Sequence, residues 1–135
     1  MTQPLVRLNP PALPDAGAMG YSQITIVEPG RLAFISGQVA WRPGGEPAPK
    51  SFVAQAELVI RNARMALDAA GASPADLVMM RAYVVDLTPE RLEQLWSFVL
   101  AFLDGAQPCV TGIGVAALAA PDLLLEIEMT VRLPT

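Results

Sequence analysis

Leu123–Arg132, LLLEIEMTVR, alternates without a break from Leu125 onward. Leu125, Ile127, Met129 and Val131 are apolar, and Glu126, Glu128, Thr130 and Arg132 fall between them. Successive side chains of a β-strand point to opposite faces. One face of this strand therefore asks for an apolar partner layer, while the other carries two carboxylates at i and i+2. That second face has two readings. It is a solvated surface, or it presents a carboxylate to a cleft between subunits, where the carboxylate can polarise water or accept a proton.

The preceding segments supply the partner layer. Ser51 is placed to cap a helix over Phe52–Ala70, whose Phe52, Ala56, Val59, Ile60, Ala63 and Leu67 recur at helical spacing, with Gly71 just past its end. Thr88-Pro89 opens a second helix with a buried stripe of Leu92, Leu95, Trp96, Val99 and Phe102, closed by Asp104-Gly105. Between them LVMMRAYVV, 77–85, is apolar enough to be a central strand covered on both faces. Cys109–Val115 is a further strand. Towards the N-terminus, QITIV (23–27) and RLAFI (31–35) flank Pro29-Gly30 and predict a hairpin, while the proline-rich first 20 residues predict an irregular arm. The order ββ-α-β-α-ββ implies a single α+β domain over 1–135, with two helices on one face of a mixed sheet.

Composition narrows the function. The chain has 135 residues, is 53% hydrophobic and carries a net charge of −4, with its nine basic residues scattered. Such an apolar surplus predicts faces buried by other subunits. The scattered cations offer no stripe for nucleic acid. No apolar run reaches the length of a membrane span, and the N-terminus does not read as a secretory signal. Zero histidines exclude Ser-His and Cys-His nucleophile pairs and imidazole-bound zinc. One cysteine cannot form an internal disulfide, which fits a reducing cytoplasm.

That cysteine, Cys109, lies in AQPCVTGIGV, 106–115. No base and no neighbouring cation activates it, so it reads as a small packing residue. Ile113 and Val115 are the better core side of this strand, which would put Val110, Gly112 and Gly114 on the uncovered face. Glycines there allow close approach of a ligand or a neighbouring subunit.

Seven pieces together resemble the RidA/YjgF family of reactive-intermediate deaminases, also labelled endoribonuclease L-PSP. They are LPDAGAMGYSQ, ISGQV, FVAQAELVIRN, LDAAGASPADLV, AYVVDL, the PxxTxxGVAAL frame of PCVTGIGVAAL, and PDLLLEIE, in family order from about Pro10 to Arg132. The resemblance implies a chorismate-mutase-like α+β subunit, a homotrimer with a central barrel, and small-molecule clefts between subunits. It also implies hydrolysis of 2-imino or 2-enamino acids without metal or organic cofactor, while composition gives the expectation of a cytoplasmic protein with no nucleic-acid or membrane partner. On the family's pattern Tyr21 matches the cleft tyrosine, Ser36 and Gly37 the ligand-contacting turn, and Glu126 the acid that positions or activates water. Thr111 falls in the same ligand-binding segment.

One position departs from the pattern. The family's substrate-clamping arginine corresponds to Val110, and the cysteine sometimes found in family clefts corresponds to Gly112, not to Cys109. A valine cannot supply the two charge-assisted hydrogen bonds, each worth about 1.5–3 kcal/mol, that a guanidinium gives a carboxylate. The expectation is a divergent member that binds a small metabolite without the standard deaminase activity. Two alternatives stay open: an imine hydrolase of altered, non-carboxylate specificity, and a non-catalytic interaction trimer. Arg81 either replaces the missing cation or pairs with a carboxylate at the subunit interface, and Arg31 or Arg132 of an adjacent copy is a further source. Ribonuclease activity has no support in an acidic chain without histidine or a basic groove.

Overall fold

In the computed structural model, which describes residues 4–134, the chain runs β1 (Leu5–Leu8), α1 (Ala16–Met19), β2 (Ile24–Val27), β3 (Leu32–Gln38), α2 (Phe52–Ala70), a 3-10 turn (Pro74–Asp76), β4 (Leu77–Val85), α3 (Pro89–Leu103), β5 (Cys109–Val115) and β6 (Leu125–Arg132). The main sheet has the order β3-β6-β4-β5. β6 pairs antiparallel with β3 and β4, and β4 with β5 is parallel, so the sheet is mixed. The fold is α+β, as expected.

Both long helices start and stop where local chemistry tells them to. The Ser51 hydroxyl accepts from the Ala54 N–H at 3.1 Å, and Gly71 ends α2 in the left-handed conformation, φ 74°. In α3 the Thr88 hydroxyl accepts from the Arg91 N–H at 3.1 Å, with Pro89 at the first helical position, where no N–H is needed. Ala56, Val59, Ala63 and Leu67 of α2, and Leu95, Val99 and Phe102 of α3, are buried against Leu125, Ile127, Met129 and Val131 of β6 and Met80, Ala82 and Val84 of β4. Each large apolar side chain shut away in this layer is worth roughly 1.5–3 kcal/mol. The alternation of 125–132 is realised residue by residue.

One polar side chain is buried within this layer. Gln55 donates to the carbonyls of Pro49 and Asp122, both at 2.8 Å, and accepts from the Leu124 N–H at 2.9 Å. It thereby ties the start of α2 to the loop that feeds β6, with both ends of its amide satisfied.

Two expectations change at the N-terminal end. β2 does not pair with β3. It pairs antiparallel with β1, Val6 opposite Ile26 and Arg7 opposite Thr25, in a separate two-stranded ribbon. The arm is therefore not irregular: it contributes β1 and the short α1. Alternation specifies the faces of a strand but not its neighbour, and a four-residue strand set among prolines gives too short a pattern to read.

The parity of β5 is also reversed. Register with β4 places Val110 beside Met80, Gly112 beside Ala82 and Gly114 beside Val84, all on the helix side. Thr111, Ile113 and Val115 lie on the open face, in line with Arg81, Tyr83 and Val85. Cys109 shares that open parity and is half-buried. Its Sγ is 3.3 Å from the Thr25 hydroxyl, which itself accepts from Arg7 Nη1 at 2.9 Å. A guanidinium thus stands two hydrogen bonds from the thiol, with the Thr25 hydroxyl between them, brought there by the ribbon rather than by sequence neighbours. Burial pushes the Arg7 pKa below its ordinary value, a shift the nearby Cys109 opposes.

Candidate functional site

The residues singled out from the sequence fall into two groups. Tyr21 and Val110, with Gly112, line a cavity of about 530 Å³ between β5 and α3. Ser36, Gly37 and Glu126 are gathered across the sheet, where β3 meets β6.

The first group is assembled by a chain of backbone contacts. After α1, Ser22 donates its N–H to the Pro108 carbonyl at 3.0 Å and its hydroxyl to the Gln107 carbonyl, and it forms a parallel bridge with Cys109. These bonds hold Tyr21 at the start of β5. The Tyr21 ring meets Trp96 edge to face, with centroids 6.0 Å apart, and the Trp96 indole N–H donates to the Met19 carbonyl at 3.0 Å. Leu92 and Trp96 were expected in the buried stripe of α3. Leu92 is instead exposed and Trp96 half-buried, and both line the cavity. An apolar stripe wider than its core-facing side was the sequence signal for this wall.

The second group depends on a bulge. From Ile35 to Gln38 of β3 three steps match two along β6, from Met129 to Ile127, so one residue of the Ser36-Gly37 pair is extra. The bulge presses the Gly37 backbone against the Glu126 carboxyl group: a Cβ on Gly37 would overlap its Cδ and Oε2. Glycine lets the Glu126 side chain keep this position; any larger residue at 37 would displace it.

The two groups do not meet within one chain. Val110 is on the helix-covered side and Glu126 on the open side, and β3 and β5 are opposite edges of the sheet, roughly 14 Å apart at three strand spacings. Thr111 faces the open side, away from Val110.

On the open face, Arg81 Nη1 lies 3.5 Å from Glu128 Oε1, and the Tyr83 hydroxyl donates to the same oxygen. That bond, then partial burial and the carboxylate charges, raises the Tyr83 pKa above its ordinary value. Arg81 is thus paired within its own chain. Arg132 is likewise engaged, donating to the carbonyls of Glu28 at 3.0 Å and Pro29 at 2.9 Å. Among the described residues no group of three or more Asp, Glu, Cys or His side chains is arranged to hold a metal.

A mixed sheet with two helices on one face and a ligand-sized cavity at the strand edge beside the second helix defines a chorismate-mutase-like α+β subunit. The sequence matches the family model described as endoribonuclease L-PSP over residues 13–133, and the chain belongs to that family, the Rid/YjgF proteins. Among solved structures it resembles a Rid-family protein of unknown function from Yersinia pestis, with 38% identity over 97% of this chain and 100% of that one and a TM-score of 0.90. A YjgF-family member from Mycobacterium tuberculosis shares 26% identity over 96% and 99% of the two chains, TM-score 0.65. TdcF from E. coli, solved with bound serine, shares 28% identity over 84% of this chain and 88% of its own, TM-score 0.68. No curated protein matches the chain. No helix among the described residues is long and apolar enough to cross a membrane.

Proposed function

We propose that this chain forms a homotrimer that binds a small metabolite in clefts between subunits and lacks the 2-imino or 2-enamino acid deaminase activity for which the family is known. The observation that carries this reading is the cavity wall. Val110 stands where the family's pattern has its arginine, and among the described residues no Lys or Arg lines the cavity. A carboxylate entering it would lose its hydration and gain no cation in exchange, which disfavours its charged form.

The separation of the two groups supports assembly. Tyr21 and Val110 of one subunit form half of a site, and Ser36, Gly37 and Glu126 of another complete it. Thr111 belongs to the same segment as Val110 and contributes from the open face. Leu32, 46% exposed, and Phe34, 77% exposed, lie on the open side of β3 and are large apolar surfaces that such a contact would cover. The relative from E. coli solved with serine supports a small-molecule site in this fold.

A second reading rests on Glu126. It matches the family's acid and lies against the Gly37 backbone at the bulge, so it remains placed to activate water for an imine that has no carboxylate. That hydrolase would need no metal or organic cofactor.

Coupled hydrolysis of 2-iminobutyrate by the purified protein tests the proposal. The expected result is no turnover, with partial gain of activity in Val110→Arg. Robust turnover by the natural chain, abolished in Glu126→Ala, would overturn it.

A further inference from the structure

The cavity beside α3 has a floor as well as a wall. Ala82 and Gly112 are side-by-side partners on β4 and β5, so two minimal residues form adjacent floor positions. A Cβ built on Gly112 would meet nothing within 4 Å, so space opens directly above it. The flanking residues are larger: Val110 on one side and Leu87 near Gly114 on the other. The result is a slot with a flat floor, bounded at one end by the edge-to-face rings of Tyr21 and Trp96. A volume of about 530 Å³ sits within the range of small-molecule sites.

Charge selects among the molecules that fit. Glu93 is the one charged side chain lining the cavity, and among the described residues it has no ion-pair partner. It is exposed, at the mouth, one turn of α3 before Trp96. A ligand whose apolar body fills the slot and whose end reaches the mouth therefore meets a carboxylate. A positive group there gains an ion pair, and a negative group meets like charge.

We propose that the cavity takes an amine or protonated imine carried on a ring-sized apolar group, with Glu93 selecting for the positive charge and Gly112 admitting the ring. The inference rests on the reading of this cavity as the ligand site, and it names the ligand class for it. The ring lies on the Ala82–Gly112 floor against Tyr21 and Trp96, and the nitrogen points outward to Glu93. The absent guanidinium and the present carboxylate then act together, reversing the charge preference of the family's clamp.

Calorimetric titration of the full chain with three probes that share one ring tests this: 2-phenylethylamine, 2-phenylethanol and phenylacetate. The expected order is amine, alcohol, carboxylate, with the carboxylate about tenfold weaker than the amine, a gap of ~1.4 kcal/mol. In Glu93→Gln the amine's advantage over the alcohol disappears, an effect of about three- to fivefold for a pair at a solvent-facing mouth. In Gly112→Leu all three probes weaken together, while circular dichroism and mass in solution stay as in the natural chain. The proposal is overturned if phenylacetate binds as well as the amine, if Glu93→Gln leaves the amine's advantage intact, if Gly112→Leu binds all three unchanged, or if none binds at millimolar concentration. These outcomes are independent of the imine assay. Turnover of 2-iminobutyrate would remove the Val110 reading whatever the amine does, and a failed titration removes only the ligand class.

Discussion

On the helix side of β6, Leu125, Ile127, Met129 and Val131 are shut away from solvent, whereas on its other side Glu126, Glu128, Thr130 and Arg132 are only half-covered. The covered face is apolar and interdigitated, with Gln55 as its one fully bonded polar insertion. The open face mixes paired charge with bare aromatic and aliphatic surface: Arg81, Tyr83 and Glu128 form a bonded group, while Phe34 and Leu32 lie uncovered on β3. One strand thus serves two tasks. Its odd positions hold the subunit together, and its even positions lie on the open face that the proposed assembly would use. Stability and function are separable here by residue parity, which makes the division testable.

The largest effect belongs to the covered face. Leu125→Ala should cost about 2–5 kcal/mol of unfolding free energy by denaturant titration, because it opens a cavity under both helices. A loss as small as that of an exposed site would break the distinction between the faces. Gln55→Leu should cost about 1–3 kcal/mol, since the Pro49 and Asp122 carbonyls and the Leu124 N–H lose their partner inside the layer; thermal unfolding reads this directly.

On the open face the outcome should be assembly rather than folding. Phe34→Asp should reduce the mass in light scattering to that of one chain with unchanged circular dichroism. An intact trimer in that variant would show that the open face is not the contact.

The smallest effect is a titration. Hydrogen bonding to Glu128 favours the protonated phenol of Tyr83, so its folded-state pKa is raised. The stabilisation is complete below the unfolded-state value of about 10 and is lost as pH rises through the folded value. Ultraviolet titration should show one of the two tyrosines ionising late, and Glu128→Gln should bring it back towards the ordinary range.

Most of the layer plan was legible because it rests on local rules. Ser51 and Gly71 bracket α2, Thr88-Pro89 starts α3, and the alternation of 125–132 assigns its faces. What failed was information held in pairing. Nothing in QITIV says that its neighbour is Leu5–Leu8, and a Pro-Gly turn between two short strands suggests a hairpin by itself. The parity of β5 was misread because both faces of the strand hold apolar residues. The deciding fact is its register with β4, which brings Gly112 over Ala82 on the helix side. The same limit hid the Arg7–Thr25–Cys109 chain and the separation of Val110 from Glu126, since both arise from contacts between distant segments.

The contact between Gly37 and Glu126 also constrains how this sequence can change over generations. Position 126 can shorten freely while position 37 remains glycine. Position 37 can gain a side chain only if the Glu126 side chain swings aside, is cut back, or the bulge is lost. The two sites therefore vary as a coupled pair: a change that keeps the acid in its present place keeps the glycine, and a change at position 37 moves the acid.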